Sequence, residues 1–111
     1  MKINEICSAL NADVQVNGNQ DKEITKLVVG DLLSFVMGSA PEGAAWVTIQ
    51  AHLNVAAVAV LKDLPLIIIA ADRKAPQDLI DRCAEENICV VSVKDSIYGV
   101  CRKMCELGIG E

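Results

Sequence analysis

A chain of 111 residues has the size of one ordinary domain, and with 52% hydrophobic residues it can bury a core without metals or disulfides. A formal charge of -5 argues against any partner bound by neutralising many phosphates, so nucleic acid is not the expected partner. Aromatic residues make up only 3%, which leaves the core to Val, Ile, Leu, Ala and Cys, side chains that suit helices packed closely on a sheet.

In chain order, Lys2 to Leu10 places Ile3, Ile6, Cys7 and Leu10 at helical spacing and predicts a short helix with one buried stripe. Asp13 to Val16 alternates briefly as a strand and then meets Asn17, Gly18, Asn19, Gln20 and Asp21, a polar run with turn chemistry. Ile24 to Val29 reads as the next strand. Gly30 and Asp31 then switch the chain into a helix carrying Leu32, Leu33, Phe35, Val36 and Met37, with Asp31 as its expected cap and Gly38 as its stop. After the loop at Pro41, Glu42 and Gly43, a strand is predicted over Ala45 to Gln50 and a helix over His52 to Leu61.

Leu66 to Ala70 contains an unbroken Leu-Ile-Ile-Ile run, the mark of a strand buried on both faces. Pro76 suits the first position of a helix whose stripe is Leu79, Ile80, Cys83 and Ala84. Ile88 to Val93 is the last strand and Ser96 to Leu107 the last helix. This alternation predicts right-handed crossovers and a single three-layer α/β domain over residues 1–111. Its sheet is expected to be mostly parallel, with the helices packed on it and Val14 to Val16 as an edge strand that can run antiparallel.

Met1 to Leu10 lacks the continuous apolar region of a secretory signal. The most apolar stretch, Val55 to Ala71, is interrupted by Lys62, Asp63 and Pro65, too soon to cross a bilayer. Five cysteines, Cys7, Cys83, Cys89, Cys101 and Cys105, are an odd number, and with no export segment they point to reduced thiols in a cytoplasmic protein. No Cys-x-x-Cys pair occurs, so the thiols read as small core hydrophobes and no metal or cofactor is expected.

The run Gly30-Asp31-Leu32-Leu33-Ser34, with Trp46-Val47-Thr48-Ile49-Gln50 and the helix from His52 to Leu61, resembles the DRTGG domain family from about Leu27 to Leu107. The resemblance implies an α/β regulatory domain, linked in some settings to adenine-nucleotide regulation and to dimerisation. Leu32 stands where the family signature has Arg, and Ala70, Ala71 and Asp72 stand in place of its Thr-Gly-Gly turn. That replacement removes a glycine turn through which a backbone could approach an anion.

Ligands of open α/β sheets favour the carboxyl ends of parallel strands. Gly30 with Asp31, and Gln50, His52 and Asn54 around a strand-to-helix turn, are the candidate ligand-binding residues there, with Ala70 to Arg73 and Ser92 to Asp95 at the neighbouring strand ends. The competing reading is that Asp31, and Asn54 or His52, only cap helices. Arg73, Lys74, Arg102 and Lys103 form no large basic patch and read as solvated. No glycine-rich dinucleotide fingerprint or phosphate loop is present, and His52 has no recognisable orienting partner or nucleophile. The expected function is therefore a non-catalytic regulatory or ligand-sensing domain, with an adenine nucleotide as the candidate ligand. A nearly all-apolar helix from Val55 to Leu61 suggests a homodimer, or else cover by the domain's own helices. The alternative function is a ligand-free protein–protein interaction subunit, and an activity using His52 is the remaining one.

Overall fold

The computed structural model describes residues 1–110. Its elements are α1 (Ile3–Ala9), β1 (Asp13–Val16), β2 (Leu27–Val29), α2 (Leu33–Ser39), β3 (Ala45–Thr48), α3 (Asn54–Leu61), β4 (Leu66–Ile69), α4 (Gln77–Glu85), β5 (Cys89–Ser92) and α5 (Ile97–Glu106). One five-stranded sheet has the order β1-β5-β4-β3-β2. β2 to β5 are parallel, and β1 joins β5 antiparallel, with Asp13 opposite Ser92 and a bulge between Val14 and Val16. The expected α/β domain with a mostly parallel sheet and one antiparallel edge is the architecture observed.

Side-chain alternation builds two cores from this sheet. Trp46, Ile67, Ile69 and Val90 point to the face covered by α2, α3 and α4, through Val36, Val55, Ala59, Leu79 and Cys83. Ala45, Val47, Leu66, Ile68, Cys89 and Val91 point to the other face, covered by α1 and α5 through Ile3, Ile6, Cys7, Val100 and Met104. Every residue of β4 is fully buried, as its unbroken Leu-Ile-Ile-Ile run predicts. The strands follow one another across the sheet, so successive right-handed crossovers put α2, α3 and α4 on the same side. Only after β5 does the chain pass to the opposite side, as α5.

α3 has no polar side to turn outward, yet most of its cover comes from the sheet and from the neighbouring helices. Val55, Ala56, Val58 and Ala59 are buried, and a stripe of Leu53, Ala57 and Leu61 stays at the surface. Cover by its own neighbours, one of the two sequence readings, therefore accounts for the greater part of this helix.

Several boundaries differ from expectation. β2 starts at Leu27, because Ile24, although buried, serves the α1 side: its N–H bonds the Met1 carbonyl, and Glu23 bridges Lys2. α2 runs through Gly38 to Ser39, and Pro76 is the residue before the first turn of α4 rather than within it. Among the described residues no helix is long and apolar enough to cross a membrane.

Candidate ligand site at the carboxyl ends of the strands

The carboxyl ends of β2 and β3 meet in a small polar knot. Thr48 ends β3 fully buried among apolar neighbours, and a buried hydroxyl needs a partner. It donates to Asp31 Oδ1 at 2.8 Å, the same oxygen accepts the Ile49 N–H at 2.9 Å, and the Thr48 hydroxyl accepts the Gln50 N–H at 3.0 Å. Asp31 therefore ties the end of β2 to the end of β3. It does not cap α2, whose cap position is Leu32 with no side-chain hydrogen bond, so the expected capping role is corrected. The reason is competition: a carboxylate offered a hydroxyl and a strand-end N–H on a fixed neighbour binds both, and the α2 N-terminus is left to solvent. Gly30 contributes its carbonyl, which accepts Trp46 Nε1–H at 2.9 Å and anchors the one indole in the core.

At the start of α3, His52 acts on its own turn. Its Nδ1 accepts the Asn54 N–H at 3.3 Å, and its carbonyl takes the Val55 N–H at 3.0 Å. Accepting at Nδ1 places the proton of the neutral ring on Nε2. The cap position of α3 is Leu53, with no side-chain cap hydrogen bond, so neither His52 nor Asn54 is the helix cap; His52 holds the turn from just outside it, and Asn54 opens the helix with an exposed side chain. Gln50 is half-buried and His52 and Asn54 are exposed, so all three side chains lie at the surface end of the β3–α3 connection.

Arg73, read from sequence as simply solvated, is fixed at this rim. Its Nη1 donates to the Ile49 carbonyl at 3.0 Å, reaching from the β4–α4 connection to the β3 end. The other basic residues are engaged elsewhere: Lys74 with Asp13 and Asp72, Arg102 with Glu106, and Lys103 with Asp95 at 2.7 Å. Thr48 was missed as a member of the site, and Arg73 was named only as the end of the neighbouring Ala70 to Arg73 segment, with its side chain read as solvated. A lone hydroxyl inside an apolar strand was the available signal for Thr48, and nothing in the sequence marks the reach of Arg73 to the β3 end, because its partner is a backbone carbonyl.

The connections diverge to opposite faces only between β4 and β5, where an open α/β sheet has its crevice. Here the protein fills that place itself. Ala71 and Asp72 take left-handed backbone conformations, φ 59° and 58°, at the positions where the Thr-Gly-Gly turn was expected to be missing. The bend that glycines favour is kept without glycine. Its N–H groups are used internally, Ala71 to the Asp95 carbonyl at 2.7 Å and Asp72 to the Val93 carbonyl at 2.8 Å, and Ser92 Oγ donates to the Arg73 carbonyl at 2.6 Å. No anion-binding nest remains in this turn. The α5 N-terminus is likewise capped, by Ser96 Oγ accepting the Gly99 N–H at 3.1 Å.

Two cavities lie away from these residues, and neither is lined by Gly30, Asp31, Gln50, His52 or Asn54. One of about 710 Å³ opens along the β2 edge between α2 and α5, beside Leu27, Val29, Phe35, Cys101, Cys105 and Ile109. The other, about 390 Å³, sits at the amino ends of the strands beside Lys22, Glu42, Asp63 and Glu86. The cysteines do not form one cluster: Cys83 faces the α2–α4 side, Cys7 and Cys89 the other, and Cys101 and Cys105 the β2-edge cavity. Among the described residues no group of three His, Cys, Asp or Glu side chains is arranged to hold a metal ion.

The fold matches that of the CBS and DRTGG domains of the regulatory region of Clostridium perfringens pyrophosphatase, solved in complex with its activator, diadenosine tetraphosphate. The TM-score is 0.73 at 15% sequence identity, and the match covers 93% of this chain and 45% of that one. The chain thus spans less than half the length of that structure, and at this identity the likeness is one of fold. No family model and no curated protein matches the sequence.

Proposed function

We propose that this chain is a non-catalytic regulatory domain that senses an adenine nucleotide at the carboxyl ends of β2 and β3 and works as a homodimer. The observation that carries the reading is the fold shared, over 93% of the chain, with a regulatory region that binds an adenine dinucleotide. The local chemistry supports it. Gln50, His52 and Asn54 offer hydrogen-bonding side chains on one short connection, and Arg73 brings a guanidinium whose fork suits a phosphate. With the turn N–H groups already bonded within the protein, recognition falls to side chains, which favours a ligand held chiefly by base and ribose contacts. Asp31, locked onto Thr48 and Ile49, shapes the floor of the site. Gly30 lets that floor lie close beneath the ring of Phe35, 3.2 Å from where a Cβ would project.

The test is calorimetric and thermal-shift titration with diadenosine tetraphosphate, ATP, ADP and AMP, alongside sedimentation of the free and liganded protein. A ligand at a hundred times its Kd stabilises a native protein by about 2.7 kcal/mol, a plainly readable shift. His52→Ala and Arg73→Ala should lose most of that shift while folding normally. A flat response across the whole nucleotide panel removes the ligand-sensing half of the proposal, and a monomer at all concentrations removes the other half.

A second reading, a ligand-free interaction subunit, is favoured by a different observation. The β2-edge cavity is bordered by exposed apolar side chains, with Phe35 51% accessible and Val29 beside it on an edge strand. Under this reading Phe35→Asp would abolish capture of a stable partner, and no nucleotide would shift the melting of the parent protein.

A further inference from the structure

We propose that Asn17 is a site of spontaneous deamidation: it closes a cyclic imide with Gly18, opens to aspartate or isoaspartate, and in the isoaspartate form loosens α1 from the sheet. Gln20 speeds the first step. This inference is independent of the nucleotide site and of the dimer.

Three features meet at this peptide bond, in the loop that follows β1. Asn17 is the one asparagine of the chain followed by glycine, and with no Cβ on the next residue nothing shields the attacking amide nitrogen. The Asn17 side chain is exposed, and among the described residues neither its carboxamide nor the Gly18 N–H makes a hydrogen bond, so both reacting groups are free. Gln20 Nε2 donates to the Asn17 main-chain carbonyl at 2.5 Å, and its second contact, to Cys89 Sγ at 3.4 Å, holds the donor in place. When the Gly18 N–H loses its proton, the negative charge is shared with that same carbonyl oxygen. A donor already aimed at it stabilises the charge as it develops. Asn19, the other asparagine of the loop, is engaged: its Oδ1 accepts the Asp21 N–H at 3.2 Å.

In the first step solvent base removes the Gly18 N–H proton and the nitrogen attacks Asn17 Cγ. The new C–N bond closes the imide, and the Nδ2 amino group takes a proton from water and leaves as ammonia. Water then opens the ring at either carbonyl. Breaking the bond to Cγ gives aspartate on the original main chain. Breaking the bond to the main-chain carbonyl carbon gives isoaspartate, whose main chain runs through Cβ and Cγ and is longer by one methylene.

Gly18 has no room to absorb that length. Its φ is +56°, and it packs so closely on β5 that a Cβ placed there would lie 2.3 Å from the Cys89 nitrogen. The same loop holds α1, since the Ile3 and Asn4 N–H groups donate to the Lys22 and Gln20 carbonyls, each at 3.0 Å. Isoaspartate therefore lifts the loop from β5 and disturbs the first turn of α1 with it.

The test follows the purified full chain during incubation at mildly alkaline pH. Peptide mapping by mass spectrometry should show Asn17 exchanging one ammonia for one water, faster as pH rises, with the other asparagines intact. Gln20→Ala should slow this in the folded protein by about tenfold, the worth of one hydrogen bond to a charged oxygen. Gln20→Glu, which keeps the shape and loses the donor, should slow it at least as much. In urea, where the contact is gone, parent and variants should react alike. The isolated isoaspartate form should melt below Asn17→Asp, which carries the same charge on an unaltered main chain. Asn17 that stays intact in the folded protein and reacts only in urea overturns the site. Equal folded-state rates in the parent and both Gln20 variants overturn the part given to Gln20, and an isoaspartate form as stable as Asn17→Asp overturns the effect on α1.

Discussion

Replacing Thr48 by valine tests the polar knot that fixes the two candidate strand ends. Threonine and valine fill nearly the same volume at this fully buried position, so the change removes a hydroxyl without opening a cavity. Two hydrogen bonds go: the one donated to Asp31 Oδ1 at 2.8 Å, and the one accepted from the Gln50 N–H at 3.0 Å. A hydrogen bond to a charged acceptor contributes about 1.5–3 kcal/mol, and an N–H left without a partner at a half-buried position costs about 1 kcal/mol more. The added methyl returns up to about 1 kcal/mol of apolar burial. The net loss is about 2 kcal/mol, roughly 8–10 °C in Tm for a domain of this size.

Urea unfolding followed by the emission of Trp46, the one tryptophan, measures this directly, because its ring is buried in the folded state. An unchanged m-value with a lower midpoint would locate the effect in the native state. Asp31→Asn keeps an oxygen for both the Thr48 hydroxyl and the Ile49 N–H, and should cost less than about 1 kcal/mol. Asp31→Ala combined with Thr48→Val should cost less than the sum of the two, since each removes the other's partner. A Thr48→Val protein within about 0.5 kcal/mol of the parent, the range of an uninvolved surface change, would refute the reasoning.

Three further outcomes are expected. Ala71→Gly should stabilise by about 0.5–1 kcal/mol in the same assay, because Ala71 is held at φ 59°, a left-handed conformation that costs an L residue more than a glycine. Gly18→Ala should destabilise by about 2 kcal/mol or more and raise the yield of aggregated protein, since φ is +56° there and the new Cβ would strike the backbone at Ile88 and Cys89. Cys83 is pushed from 9.0 up to about 11 by burial, with Arg82 pulling it down and Glu86 pushing it up. The folded chain then keeps this proton when the unfolded chain has lost it, so its contribution is intact below pH 9.0 and is lost as pH rises toward 11. Urea midpoints should therefore fall more steeply over that window in the parent than in Cys83→Ala, and equal slopes would contradict the assignment.

Periodicity made most of this fold legible. The unbroken apolar run of β4 and the Leu79, Ile80, Cys83 stripe of α4 identify their own environments, because a sheet buried on two faces and a helix buried on one impose different patterns. Ile24 misled for the same reason: it is fully buried, but α1 supplies the cover and no ladder runs through it. Pattern reports burial and is silent on what does the burying. The site was legible only as a location. Asp31 looked like a cap from its neighbours in sequence, whereas its partners, Thr48 and Ile49, lie 17 and 18 residues away on the adjoining strand. Arg73 was legible only as the end of the next strand connection; its reach to β3 was not, because its tether, the Ile49 carbonyl, carries no side-chain identity to read.

The winding of the sheet bears on where a ligand can sit. With β2 to β5 laid down in sequence order, connections part to opposite faces only beside β5, and that gap is closed by the left-handed turn at Ala71 and Asp72. The polar surface at the β2 and β3 ends lies instead where both connections turn to the same face. A ligand there rests on top of the sheet, with α2 and α3 to one side, while among the described residues the β2 edge is met by Gly110, which pairs with Lys26 and Leu27 at the amino end of the strand, away from the site. Such a site is shallow in one copy, and a second copy brought against the β2 edge would supply its missing wall. Under the proposed function, nucleotide affinity and dimerisation are then one linked equilibrium: each must strengthen the other by the same factor. Nucleotide binding that is independent of protein concentration across the monomer–dimer range would separate them and leave the site complete in a single chain.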